Sequence, residues 1–302
     1  MKKEKRDQVV AKQVAQIEKP ESMLKAMWDV IKKNKAAVAG FVVILVLLLI
    51  SLITWLFPGI LPYDPEYSDM SQAFVAPCKE HFFGTDQLGR DIFSRVLDGT
   101  KVSLFVGIAA VTLSLAIGTV LGSIAGYFGG KLDGIIMRCM DVMLSIPSIL
   151  LAVTLMAALG KGLDKAIIAI GIVSIPEYAR IVRSSILSVK ESDYVAAARV
   201  IGNSDTRIIF RHILPNVVSS IVVRATLGIS TAILDTAALG FLGLGVQPPM
   251  SEWGDMLGRA RTYIFSAPWT LIFPGLAITL AVLAFNLFGD GLRDALDPKS
   301  RA

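Results

Sequence analysis

The sequence predicts an all-α membrane protein with six transmembrane helices, both termini cytoplasmic, and a helical cytoplasmic loop. Three observations predict it. The 302 residues are 54% hydrophobic and only 18% charged, with a mean hydropathy of +0.62, which leaves too little polar surface to cover a soluble domain of this size. Uncharged runs recur at the ~20-residue length that a helix needs to cross a bilayer. Between those runs, Lys and Arg are distributed unequally in a way that fixes orientation.

The elements follow in order. Residues 1–35 form a polar, basic N-terminal tail without a cleavable leader, because the first apolar run starts late and no small-residue cleavage site follows it. Within the tail, Met23, Leu24, Met27, Trp28 and Ile31 fall at helical spacing opposite lysines, the pattern of a helix lying in the membrane interface. Residues 36–57 are uncharged and close on Trp55, Phe57 and Pro58, an aromatic boundary followed by a breaker. Residues 58–101 read as an outer loop. A five-helix membrane domain over 102–290 follows, with spans at 102–130, 142–160, 163–181, 216–240 and 262–289, and residues 291–302 form a C-terminal tail. In the second span, Gly107, Gly118, Gly122 and Gly126 recur at near-fourfold spacing, which lines one helix face with small residues for a close neighbour. Pro147 predicts a kink in the third span. The fourth is the weakest, with an uncharged core only from Ala166 to Pro176, and is expected to border protein or water.

With the N-terminus inside, the cytoplasmic segments hold 21 Lys and Arg and the outer segments 8, which favours this orientation. Cys78 and Cys139 sit in unrelated contexts and read as free thiols. His81 and His212 lack a third nearby ligand, so no metal site is expected. No GxxxxGK[ST] phosphate loop occurs; Leu159-Gly160-Lys161-Gly162 lacks both the upstream glycine and the hydroxyl residue. The chain is therefore expected to hydrolyse no nucleotide itself and to bind no nucleic acid.

The segment 182–215 is polar yet not low-complexity. Ala196, Ala197 and Ala198 favour helix, Gly202 is a stop, and Asn203-Ser204-Asp205 caps a second short helix that runs toward Pro215. Such a hairpin either docks another protein or folds back on the chain's own helix ends. Two charges interrupt the fifth span, Arg224 and Asp235. Eleven residues at ~100° each return them to nearly one face, ~16 Å apart along the axis. They line a water-filled path, or form an interhelical ion pair, or, for Arg224, snorkel to the inner face. Arg138 and Asp141 read as a local brace three residues apart. Glu177, Tyr178 and Arg180 read as the junction between loop and bundle. Asp86, Arg90, Asp91 and Arg95 are expected to order the outer loop or meet a partner permease, with substrate selection as the alternative.

The stretch from Glu177 to Asn216 resembles the cytoplasmic "EAA" loop of ABC-importer permeases, in which Glu-Ala-Ala is followed three residues later by Gly and then by Pro. The matching positions are Ala196-Ala197-Ala198, Gly202 and Pro215; Ala196 replaces the acid and His212 a later Ile. His81–Asp91 and Ala238–Pro249 with Trp253-Gly254 resemble further signatures of the dipeptide/oligopeptide/nickel branch, "C" subunit. The resemblance implies a permease subunit of a binding-protein-dependent importer in the bacterial inner membrane. It implies a homologous second permease, two ATPase subunits that carry ATP and Mg, and an extracytoplasmic solute-binding protein. It places ATPase coupling on Ala196, Ala197, Ala198, Arg199, Gly202 and Pro215, through close packing rather than an ionic contact. Short peptides are the expected cargo, with nickel as the alternative. A secondary transporter would show inverted repeats and broken helices at mid-membrane, and neither is clear.

Overall fold

The computed structural model describes residues 31–296. Residues 21–30 of the expected interfacial helix at 21–35 and residues 297–302 of the C-terminal tail therefore lie outside the described residues. Those residues are helical, without a named strand. The helices are α1 (Lys35–Leu56), α2 (Ile92–Phe128), α3 (Gly130–Leu144), α4 (Ser148–Leu159), α5 (Leu163–Val189), α6 (Asp193–Val200), α7 (Leu214–Phe241), α8 (Trp253–Ala260) and α9 (Trp269–Leu296). A short turn at Asp205–Arg207 and a π-helical turn at Ile208–Ile213 lead without interruption into α7. Four of these are long and apolar enough to cross a membrane: α1, α2, the continuous Asp205–Phe241 helix, and α9. A fifth arises if α3 and α4, bent by 91°, count as one broken span.

Four element boundaries differ from those read in the sequence. α2 begins at Ile92, not 102, because the Asp91 carboxylate caps it by accepting from Ser94 N (2.7 Å). Its polar first turns are buried, with Arg95, Asp98, Thr100 and Ser103 all inside the protein. The expected kink at Pro147 is a break: Ser145–Pro147 separates an amphipathic α3 from the apolar α4. α5 continues through Pro176 to Val189, so the loop proper starts at Lys190. Asp164, Lys165, Glu177, Arg180 and Arg183 make α5 too highly charged to count as a span on composition. α9 starts at Trp269 rather than 262, after a short turn at Arg261–Tyr263, and among the described residues it runs to Leu296, taking in Asp290 and Arg293 from the expected span boundary and tail.

The central packing is α2 against α5, the most extensive contact between two helices. The glycine face supplies it. A Cβ at Gly118 would stand 2.6 Å from Tyr178 Cβ, at Gly122 2.5 Å from the Ala179 carbonyl oxygen, and at Gly126 3.0 Å from the Arg183 carbonyl oxygen. The two backbones touch along two turns, which only small residues permit. Gly107, higher on the same face, meets Ile233 of α7 instead.

At the opposite end from α6, an ordered cap joins the 58–91 segment to α8. Arg90 pairs with Asp86 (2.7 Å), His81 bridges Asp91 (2.9 Å) and Gln72 (2.7 Å), and Arg95 donates to the Pro65 carbonyl (2.6 Å). The outer-segment charges thus order their own segment. Trp253 is fully buried and donates from Nε1 to the Val96 carbonyl (2.9 Å). Glu252 caps α8, its carboxylate accepting from Gly254 N and Asp255 N (both 2.8 Å). Its complete burial pushes the carboxyl up to about 7, although those two N–H groups pull the other way.

Gly122→Ala is expected to lower stability by about 1–3 kcal/mol through overpacking, while Gly134→Ala on α3, where a Cβ meets nothing within 4 Å, gains up to about 1 kcal/mol of helix propensity. Thermal unfolding in detergent checks both, and equal effects would refute the close-contact account. The folded state holds a proton on Glu252 that the unfolded chain releases above its ordinary value of 4.5. Stability should therefore fall as pH rises from 4.5 to about 7 and flatten above it. Glu252→Gln should remove that slope; an unchanged slope assigns it to another group.

Candidate functional site

The hairpin between α5 and α7 is built from local rules. Residues 193–200 form α6 on the strength of the alanine run, and Gly202 ends it with φ +82°. Gly202 N donates to the Arg199 carbonyl (3.0 Å) and Asn203 N to the Ala198 carbonyl (3.2 Å), the paired bonds of a Schellman stop. A Cβ at Gly202 would meet nothing within 4 Å. Glycine is needed there for its left-handed backbone, rather than to admit a neighbour. Ser204 caps the next turn by accepting from Arg207 N (3.4 Å). Pro215 follows the π-helical turn Ile208–Ile213 inside the continuous Asp205–Phe241 helix, where it removes one backbone donor.

Burial divides the hairpin into an inner and an outer face. Val195 and Ala198 are buried against Ile208, Ile209 and Ile213, and that cluster continues onto Val182 and Ile186 of α5. Tyr127, at the end of α2, donates to Asp205 Oδ1 (2.6 Å), and the Arg199 guanidinium lies 5.8 Å from its ring centroid. Arg199 thus turns toward the bundle. Ala196 and Ala197 face outward. Beside them, Val200 is 87% exposed, Ile201 77% and Phe210 61%. Sequence reading missed these three. Val200 lies five residues, or ~140°, from buried Val195 on the helix, so a β-branched pair just before the stop glycine, on the face away from the core, was the available signal.

α5 links this hairpin to the bundle through three charges spaced three apart, which step round the helix by ~60° each. Glu177 pairs with Arg224 of α7. Arg180 donates to Asp141 (2.8 Å), and Arg183 makes a two-pronged bond to Asp133 (Nη2 to Oδ2 2.6 Å), both on α3. The expected Arg138–Asp141 brace is therefore replaced: Asp141 reaches across to α5 instead. Arg224 is the interhelical partner of Glu177, with its guanidinium 6.0 Å from the Tyr178 ring. Tyr178 is buried, its hydroxyl packed on Gly228 of α7 without a hydrogen-bond partner among the described residues.

Asp235 is half-buried, eleven residues beyond Arg224. It has no hydrogen-bond or ion-pair partner among the described residues. It shares a stripe of α7 left uncovered by this chain with Thr231, Leu234, Ala238 and Leu242. Arg224 and Asp235 thus belong to different surroundings despite their common helix face.

Residues 118–302 match the model of the binding-protein-dependent transport system inner membrane component. The chain belongs to that family. Residues 22–77 match the N-terminal transmembrane domain of oligopeptide transport permease C. Among curated proteins, it is 50% identical over 272 residues to a dipeptide transport system permease, DppC, of Alkalihalophilus pseudofirmus, covering 90% of this chain and 88% of that one. It is 49% identical to a glutathione transport system permease, GsiD, of Pectobacterium atrosepticum (90% and 89% covered) and 46% to a di/tripeptide permease of Pseudomonas aeruginosa (92% and 93%). Among solved structures, an inward-facing MetNI methionine ABC transporter chain superposes with a TM-score of 0.57 at 21% identity, over 67% of this chain and 97% of that one. That likeness concerns the fold. The family's transport role agrees with a chain whose ionic groups serve mainly as braces between helices.

Proposed function

We propose that the chain is one membrane-spanning half of an ATP-driven importer of short peptides, a class that includes the cargoes named for its relatives. In this reading six spans cross the bacterial inner membrane, formed by α1, α2, the α3–α4 pair, α5, α7 and α9. Both termini and the hairpin lie in the cytoplasm, which the excess of Lys and Arg in those segments supports. A homologous permease completes the pathway, two ATPase subunits supply ATP and Mg, and a solute-binding protein delivers cargo from outside.

The observation that carries the reading is the outer face of the hairpin. Val200, Ile201 and Phe210 expose apolar surface that the fold has no internal use for, while the opposite face is clamped to α5. Ala196 and Ala197 let a partner surface approach between them, and Gly202 and Pro215 hold the hairpin's shape. Closure of the ATPase pair pushes on these residues. The push passes into α5 through the Val195–Ile186 cluster, into α2 through the glycine contact, and into α7 through Glu177–Arg224. Asp235 lines the pathway: a carboxylate on an otherwise uncovered stripe of a spanning helix requires water or protein opposite it, not lipid.

The test replaces both knobs, Val200→Asp with Ile201→Asp, in the assembled transporter. Co-purification of the ATPase subunits and peptide uptake should each fall at least about thirtyfold, the ~2 kcal/mol scale of a lost apolar anchor. Uptake and co-purification at wild-type levels would sink the docking assignment. In the same uptake assay, wild-type rates for Asp235→Asn would remove that residue from the pathway.

A further inference from the structure

A cleft opens between α5, α7 and α9 at the hairpin end of the bundle, with a volume of about 490 Å³. Its wall is divided by chemistry. Ile181, Val223, Leu227 and Leu296 make an apolar side; Ser219, Ser220, Arg224 and Arg293 make a polar one. The cleft's net charge is positive. Glu177 neutralises Arg224, yet a guanidinium has five N–H donors and one carboxylate occupies two. Arg293 is exposed and forms no ion pair among the described residues. The height of the site in the membrane follows from helix length. The 28 residues of α9 span ~42 Å against a hydrocarbon core of ~30 Å, so its ends reach the headgroup region. Arg293 stands three residues from one of those ends.

We infer that this cleft binds an anionic phospholipid, its phosphate held by Arg293 and the free N–H groups of Arg224 and its first acyl carbons lying on Ile181, Val223 and Leu227. A free anion has no use for the apolar wall, and a zwitterionic lipid offers the same phosphate but brings a cation beside a cleft that is already positive. Basic pockets between spanning helices on the cytoplasmic side are suited to this chemistry. The occupied cleft would wedge α9 against the same Arg224 that ties α7 to α5, so the lipid stabilises the brace rather than the transport path. The inference is independent of the cargo.

The experiment reconstitutes the assembled transporter in nanodiscs of phosphatidylcholine with phosphatidylglycerol and counts retained lipids by native mass spectrometry. Wild type should retain phosphatidylglycerol over phosphatidylcholine. Arg293→Gln should lower that preference about fivefold, the scale of one cation near a headgroup, and Arg293→Lys should keep most of it. Ser220→Trp, which fills the cleft without changing its charge, should also abolish retention. Equal retention of the two lipids by wild type would overturn the inference. So would full retention by both the Gln and Trp variants, protection by inorganic phosphate alone, or a peptide in place of the lipid.

Discussion

Backbone contact between α2 and α5 is the constraint on which the remaining structure depends. Gly118, Gly122 and Gly126 bring two helices together along Tyr178 to Ile186, in a setting where lipid supplies no hydrophobic drive for association and close packing must do so. Most of the groups that tie the hairpin to the bundle are mounted on α5 in or beside this contact. Pro176 sits inside it without breaking the helix, because the freed backbone group lies among packed neighbours rather than in lipid. A helix too polar to pass as a span on its own composition is held in the interior by the flat glycine face of its neighbour.

From that contact outward, ionic groups act as braces of graded strength. The bidentate Arg183–Asp133 pair is partly shielded from solvent, whereas Arg180 and Asp141 are each more than half exposed, so the first contributes more than the second. Glu177–Arg224 connects α5 to the helix that carries Asp235. The far cap is joined separately, by Trp253 and Glu252 on α8 against the first turns of α2. One long helix, α2, thus touches both the cap and, through Tyr127, the hairpin.

How much of this was legible in the sequence depended on whether polarity and burial agreed. α1 and α7 were read within a residue or two of their observed ends, since uncharged runs and Pro215 mark them. The start of α2 was hidden because Arg95, Asp98 and Lys101 look like loop residues to hydropathy, although α8 and the 58–91 segment bury most of them. The family, the glycine face and the Ala196–Gly202–Pro215 spacing were all readable. Pairings were not: Asp141 has a basic residue three positions away and chooses Arg180 thirty-nine positions on, which only the fold can decide. Val200 and Ile201 carry no motif of their own, and their significance lies in facing away from a core that a linear reading cannot locate. Gly202 was readable as the helix stop, and its positive φ agrees with that reading.

The central claim is that α2, α5 and the hairpin move as one body, coupled by the glycine contact. Its most direct test is the distance between spin labels at Val120 on α2 and Thr206 in the hairpin, both exposed. The free thiols Cys78 and Cys139 are first replaced by serine, and the assembled transporter is measured with and without ATP. The account predicts a distance distribution unchanged within about one residue's rise, ~1.5 Å, while uptake proceeds. A shift of several times that rise on ATP binding would show the hairpin hinging on α5 and would contradict it.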